Sequence, residues 1–343
     1  MVGQNSFYGT MPSIAVLIPC FNEESTIFSV VEKFKKVLPS ATVFVYDNCS
    51  TDNTSSEAEK AGAVVIKSRK RGKGNVVRKM FSDVNADIYV IVDGDDTYCA
   101  EDSIKMINLI RDEQIDMVIA SRKEISDKAY PAGHRWGNKL FNFALKLLFD
   151  SEFEDIFSGY RAFSKRFVKT FPITSNGFDI EAELSIHALT LSLPCLEIDS
   201  DYRERPANSY SKLSTFKDGF KILWSIIRLL KENRPLLFFG MISLGLFLLA
   251  LIISYPILTT FIETGLVPRL PTAVLSTGIM LISFLSLTCG FILNSISKAR
   301  IEIKKLHYLQ IETTDSLISL DIQKSHVTDS LISLDIQKSH VYE

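Results

Sequence analysis

The sequence predicts an α/β protein: a mostly parallel sheet flanked by helices, then an amphipathic helix and a hairpin of two long apolar helices. Three observations carry this. Between Ile14 and Ala120, short runs of β-branched and aromatic residues alternate with helical patterns. From Pro235 to Ser297 only two charged residues occur, Glu263 and Arg269. Within the first of these regions sits Ile88–Tyr98 (IYVIVDGDDTY), an uncharged run that leads straight into Asp93, Asp95 and Asp96.

Each element has its own signal. Ile14–Ile18 (IAVLI) is an apolar run that stops at Pro19, and Asn22-Glu23-Glu24-Ser25 then opens a helix with Ile27, Val30, Val31 and Phe34 on one face. Thr42–Tyr46 is the next strand, Glu57–Ala61 a helix, and Ala63–Ile66 a third strand. A helix around Val76–Val84 leads to the Ile88–Val92 strand, followed by a helix at Asp102–Arg111 and a strand at Met117–Ala120. Strands separated by helices imply right-handed βαβ units and a parallel sheet. Neither G-x-G-x-x-G nor G-x-x-x-x-G-K-[ST] follows a strand, which argues against a dinucleotide fold and a P-loop.

Polar residues gather where such a sheet places a site, beyond the carboxyl ends of its strands. Asn22 and Glu23 follow the first strand, Asp47 ends the second, and Asp93 and Asp95 follow the fourth. Carboxylates at D-x-D spacing are hard oxygen ligands for a divalent cation that also holds substrate phosphates. An acidic turn capping the next helix is the competing reading of this segment alone.

Leu236–Tyr255 has twenty residues without a charge, enough at ~1.5 Å per residue to cover the ~30 Å hydrocarbon core of a bilayer. Thr272–Ser297 is a second such stretch. Lys221, Arg228, Lys231 and Arg234 precede the first, and Lys298, Arg300, Lys304 and Lys305 follow the second. The positive-inside rule then expects a multi-pass membrane protein with both termini and the first domain in the cytoplasm. Phe216–Asn233 interleaves apolar and basic residues, as in a helix lying in the membrane interface or an ordinary amphipathic core helix. The expected division is 1–214 for the α/β domain, 215–234 for the amphipathic helix, 235–298 for the spans and 299–343 for a tail. Five scattered cysteines without a C-x-x-C pair argue against disulfides and zinc, and no signal peptide is visible. A net charge of −2 supplies no pull towards nucleic acid, which is not expected as a partner.

Seven segments, in order, resemble the GT-A glycosyltransferases of family 2, and most closely their polyprenyl-phosphate (dolichyl- or undecaprenyl-phosphate) branch. They are IPCFNEE (18–24), YDNCSTDNT (46–54), RGKGNVVRK (71–79), VDGDDTY (92–98), FSGYRAFSKR (157–166), GFDIEAEL (177–184) and RERPANSYSKL (203–213). The resemblance implies a GT-A (Rossmann-like) domain, a nucleotide-sugar donor with uridine favoured, Mg²⁺ or Mn²⁺, and a polyprenyl phosphate acceptor in a bacterial or archaeal plasma membrane. It implies donor contacts from Pro19, Asn22, Glu23, Asp47 and Lys73, and a diphosphate–metal site at Asp93 and Asp95. The basic loop around Lys73, taken by itself, also suits a solvated turn. Arg161, Arg205 and Lys212 become candidates for the acceptor phosphate, with Arg122 and Arg135 behind them. Asp155 becomes a candidate base or sugar-positioning group.

Two positions depart from the family pattern. Thr97 stands where D-x-D-x-Q has Gln, and Asn208 replaces a Gly in R-P-x-G-S-x-S-K. The Q-x-x-R-W motif of processive synthases is missing its Gln at His134-Arg135-Trp136. The tail repeats fourteen residues without change, Thr314–Val327 and Thr328–Val341. It reads as a marginally ordered segment, with a helical seam joining copies into a homo-oligomer as the other reading. The rival activities are transfer to a lipid hydroxyl and a silent scaffold that binds nucleotide sugar.

Overall fold

The structure, a computed structural model of the 343-residue chain, describes residues 12–124, 146, 153–172, 180–203, 227, 228 and 230–311. The chain divides into two compact units, one holding the sheet together with the segment from Leu306, the other holding the long apolar helices up to Lys305.

The first unit begins with β1 (Ile14–Cys20), α1 (Ile27–Val37), β2 (Thr42–Asp47), α2 (Thr54–Lys60), β3 (Val64–Lys67) and α3 (Lys73–Asp83). It continues with β4 (Ile88–Ile91), α4 (Asp102–Asp112), β5 (Met117–Glu124), β6 (Arg161–Ser164), α5 (Lys165–Thr170), α6 (Ile180–Leu191) and β7 (Cys195–Tyr202). The strands form one sheet in the order β3-β2-β1-β4-β6-β5-β7. All run the same way except β6, which lies antiparallel between β4 and β5.

The apolar runs become strands because both faces of the sheet are covered. Along β1, Val16 and Ile18 join one core with Ile27, Val30, Val31 and Phe34 of α1, whereas Ala15 and Leu17 join the opposite core with Val76, Val77 and Met80 of α3. β4 divides its side chains likewise, Ile88 and Val90 to the first core and Tyr89 and Ile91 to the second. The five strands and four helices read from the sequence are present, with ends shifted by a few residues. The sequence reading named no strand beyond Ala120; the structure adds β6 and β7 there.

The second unit contains α7 (Pro235–Thr264) and α8 (Leu270–Leu309), the latter ending in the first unit. Both are long and apolar enough to cross a membrane, with mean hydropathies of 2.8 and 2.0 over their most apolar stretches, of which only 11% of residues are buried. On the α8 side small residues recur along their contact. Ser276, Ser283, Gly290 and Ser297 recur every seventh position of α8 and are buried or face α7. The Ser283 hydroxyl donates to the Ser243 carbonyl (2.8 Å), that of Ser286 donates to Phe239 O (3.1 Å), and Gly290 lies against Phe239 and Leu236. The expected helix over 215–234 lies largely outside the described residues, and the repeated tail entirely so.

Candidate active site

The β1 and β2 ends are laced together by polar groups. Asn22 takes the left-handed conformation (φ 54°), donates its N–H to Ser50 Oγ (3.0 Å) and accepts from the Thr51 N–H (2.8 Å). Asn tolerates that conformation better than most residues. Glu23 is buried; its N–H binds Thr54 Oγ1 (2.9 Å), and its carbonyl accepts from Thr26 and Ile27 to start α1. Pro19 pairs in register with Tyr46. Asp47 accepts from the Ser50 N–H (2.7 Å) and the Ser55 hydroxyl (2.6 Å). Burial pushes its carboxyl up, but these hydrogen bonds, helped by Lys67, hold it below the ordinary value. Asn48 ties the next loop in, accepting from the Gly72 N–H (2.9 Å), and Arg71 stacks on the Phe21 ring (4.4 Å).

The end of β4 supplies the centre. Asp93 receives Lys73 Nζ at 2.6 Å, and the same ammonium contacts Glu181 Oε1 at 2.5 Å. Burial alone would drive Lys73 towards neutrality; the two carboxylates reverse this and raise its pKa above that of an ordinary lysine. Gly159 presses on the Asp93 carboxylate so closely that a Cβ there would collide with it. Gly94 has no room for a side chain either, since Cys20 Sγ would lie 2.6 Å from its Cβ. Asp95 is 3% exposed, and its Oδ1 accepts from Thr97 Oγ1 at 2.7 Å. Asp96 turns away (φ 59°) to an ion pair with Lys33 at 2.7 Å. The three carboxylates therefore separate into an alternating pair and an outward anchor.

Among the described residues no three metal-ligating side chains cluster. Asp93 and Asp95 nonetheless fit Mg²⁺ or Mn²⁺ in the mode that uses one or two carboxylates and leaves the remaining positions to phosphate oxygens and water. Thr97 fits the same purpose, because a hydroxyl on one carboxylate oxygen fixes the direction of the other.

Two expectations change. Arg161 is 1% exposed, and its guanidinium donates to the carbonyls of Ser158 (2.9 Å) and Ile156 and to the Ser185 hydroxyl (2.9 Å). It is a buried fastener of the loop before β6, its guanidinium committed to these partners. Asp155 is no free base: Arg122 holds both its oxygens, Nε to Oδ2 at 2.6 Å and Nη2 to Oδ1 at 2.7 Å. Arg122 also lies over the Tyr202 ring (5.6 Å). Arg135, Arg205, Asn208 and Lys212 lie outside the described residues. Sequence reasoning passed over Glu181, inside the GFDIEAEL segment; what marks it is its sharing of Lys73 with Asp93, a contact that no local pattern carries.

Comparison with known proteins agrees with this geometry. Residues 15–171 match the domain described as Glycosyl transferase family 2. Glycosyltransferase AglJ of Haloferax volcanii is 32% identical over 284 residues, covering 80% of this chain and 92% of that protein. The dolichyl-phosphate hexose transferase of the same organism is 29% identical, covering 66% and 97%. Among solved structures, glucosyl-3-phosphoglycerate synthase from Mycobacterium tuberculosis in complex with Mn²⁺ and uridine-diphosphate-glucose shares the fold, at a TM-score of 0.50, 22% identity, and 64% and 79% coverage. With a mostly parallel GT-A sheet, paired aspartates at its central strand end and a relative matched over nearly its whole length, the chain belongs to glycosyl transferase family 2.

Proposed function

We propose that this glycosyltransferase moves a hexose from a nucleotide sugar, with UDP favoured, to a polyprenyl phosphate at the cytoplasmic face of a bacterial or archaeal plasma membrane. The observation that carries this reading is the Asp93–Asp95 strand end on a chain that also contains two long apolar helices. The relative named for dolichyl-phosphate hexose transfer supports the acceptor class, and the Mn²⁺ and UDP-glucose complex of the structural neighbour supports a metal and a uridine donor.

Asn22, Glu23 and Asp47 stand on the nucleoside side of the sheet centre, with Asp93, Asp95 and Lys73 at the diphosphate. A bound Mg²⁺ or Mn²⁺ would offset the charge that builds on the departing nucleoside diphosphate. An oxygen of the lipid phosphate attacks the anomeric carbon, the bond from that carbon to the diphosphate breaks, and configuration inverts. A phosphate monoester with a second pKa of about 6 is already largely dianionic at neutral pH, so it needs no strong base. This agrees with Asp155 being committed to Arg122. With the Arg122 fork already filled by Asp155, Arg135, Arg205 and Lys212 are the residues for the acceptor's phosphate.

The test is a donor panel with full-length protein, Mg²⁺ or Mn²⁺ and undecaprenyl phosphate, read by lipid mass spectrometry. The expected product is a sugar-phosphate-lipid that mild acid cleaves. A mild-acid-stable product formed on diacylglycerol instead would overturn the acceptor assignment, and binding of donor without any transfer would mark a scaffold.

A further inference from the structure

Glu181 opens α6 and is only 6% exposed. Its Oε1 is taken by Lys73, but its Oε2 is buried with no hydrogen-bond partner among the described residues. A carboxylate oxygen withdrawn from water and left unpaired is costly, and folded proteins keep such atoms where a ligand or an ordered water completes them. Glu181 lines a small cleft together with Lys73, Ile91, Ser158, Gly159 and Arg161. Lys73 and Gly159 both touch Asp93, so this cleft adjoins the paired aspartates.

The strand order says which part of a donor reaches it. Asn22 and Asp47 belong to the β1 and β2 ends, on one side of β4; Gly159 just before β6 and Arg161 at its start lie on the other, where Glu181 of α6 joins them in the cleft. A nucleotide sugar is a linear sequence of nucleoside, diphosphate and sugar. With its nucleoside over β1 and β2 and its diphosphate at Asp93 and Asp95, its sugar falls on the β6 side. Glu181 Oε2 there is a charged acceptor without a donor among the described residues, and a sugar is a ring of hydroxyl donors.

We propose that Glu181 Oε2 accepts a hydrogen bond from one hydroxyl of the transferred sugar, which makes Glu181 a residue that selects the donor. The inference rests on the nucleotide-sugar reading above. Lys73 is then more than a diphosphate contact: by holding Oε1 it fixes the direction in which Oε2 points. A buried acceptor built for one hydroxyl rejects a donor that lacks it much more strongly than an apolar pocket rejects a change of size.

The experiment uses the full-length protein with UDP-glucose and its monodeoxy derivatives, comparing wild type, Glu181→Gln and Glu181→Asp. Calorimetry measures binding of UDP-glucose and of UDP alone; transfer to undecaprenyl phosphate gives kcat/KM. In wild type, one monodeoxy donor should lose about a hundredfold in kcat/KM. In both variants the parent donor and that derivative should differ by less than about threefold, while UDP alone binds as in wild type. Unchanged discrimination among the deoxy donors would overturn the proposal in favour of a water on Oε2. Parallel losses for UDP and every UDP-sugar would also overturn it, leaving Glu181 as a support for Lys73 or the fold. Should wild type bind UDP-glucose yet transfer nothing, the activity fails, and the binding arm still decides the role of Glu181.

Discussion

Thr97 is the residue at which this chain leaves the D-x-D-x-Q pattern, and its hydroxyl now has a definite partner in Asp95 Oδ1. Removing that hydroxyl in Thr97→Val should weaken Mn²⁺ binding about 10- to 100-fold, as measured by titration of the free Mn²⁺ paramagnetic resonance signal. Asp95→Asn should cost more, lowering kcat by about two to three orders of magnitude in the lipid-transfer assay. Asp47 governs a different property. Its pKa in the folded protein lies below the ordinary 3.8, so the native state holds this proton more weakly than the unfolded chain. The stability it contributes is therefore complete above the unfolded value and drains away as pH falls towards the folded one. Asp47→Asn should flatten this acid limb, seen as a denaturant midpoint that changes less between pH 5 and pH 3 than that of wild type.

At the level of elements, β6 accounts for most of what was hidden. The other central strands are legible because residues buried on both faces leave uninterrupted apolar runs, as in IAVLI and IYVIV. β6 is RAFS, four residues bounded by a buried Arg and a Ser, and carries neither the length nor the alternation that marks a strand. Its Arg161 was legible as a motif residue but not as a buried one, because a cation inside a fold is recognised only by the carbonyls that surround it. Arg161→Ala should cost about 3 kcal/mol in chemical denaturation, since it strands the carbonyls of Ser158 and Ile156 and opens a cavity. The aspartates at strand ends could be read directly because the strands that present them are local in sequence. Glu181 could not, since its meaning depends on α3 and β4 arriving beside α6.

For the molecule as a whole, the seven-residue spacing of small side chains on α8 sets how closely the two apolar helices approach. A Cβ on Gly290 would already stand 3.1 Å from Phe239 Cβ and 3.5 Å from Leu236 Cα. Gly290→Leu should force the pair apart and lower the thermal midpoint of the detergent-solubilised protein, whereas a leucine at the exposed Thr288 should leave it unchanged. The end of α8 is fastened by a different chemistry: the Tyr308 hydroxyl donates to Asp116 Oδ2 (2.7 Å), and Arg166 donates to the Ile311 carbonyl (2.8 Å).

The single reversed strand also divides the rims of the sheet by trade. Because β6 runs against its neighbours, its first residue, Arg161, pairs with Ile91 beside the paired aspartates, and its last, Ser164, pairs with Ile88 at the opposite edge. The candidate site is thereby collected on one edge, and the other carries connections such as the exposed Pro39-Ser40 turn between α1 and β2. That edge is a place for cargo. A short epitope spliced between Pro39 and Ser40 should leave sugar transfer intact, giving a handle for capturing the enzyme without touching its substrates.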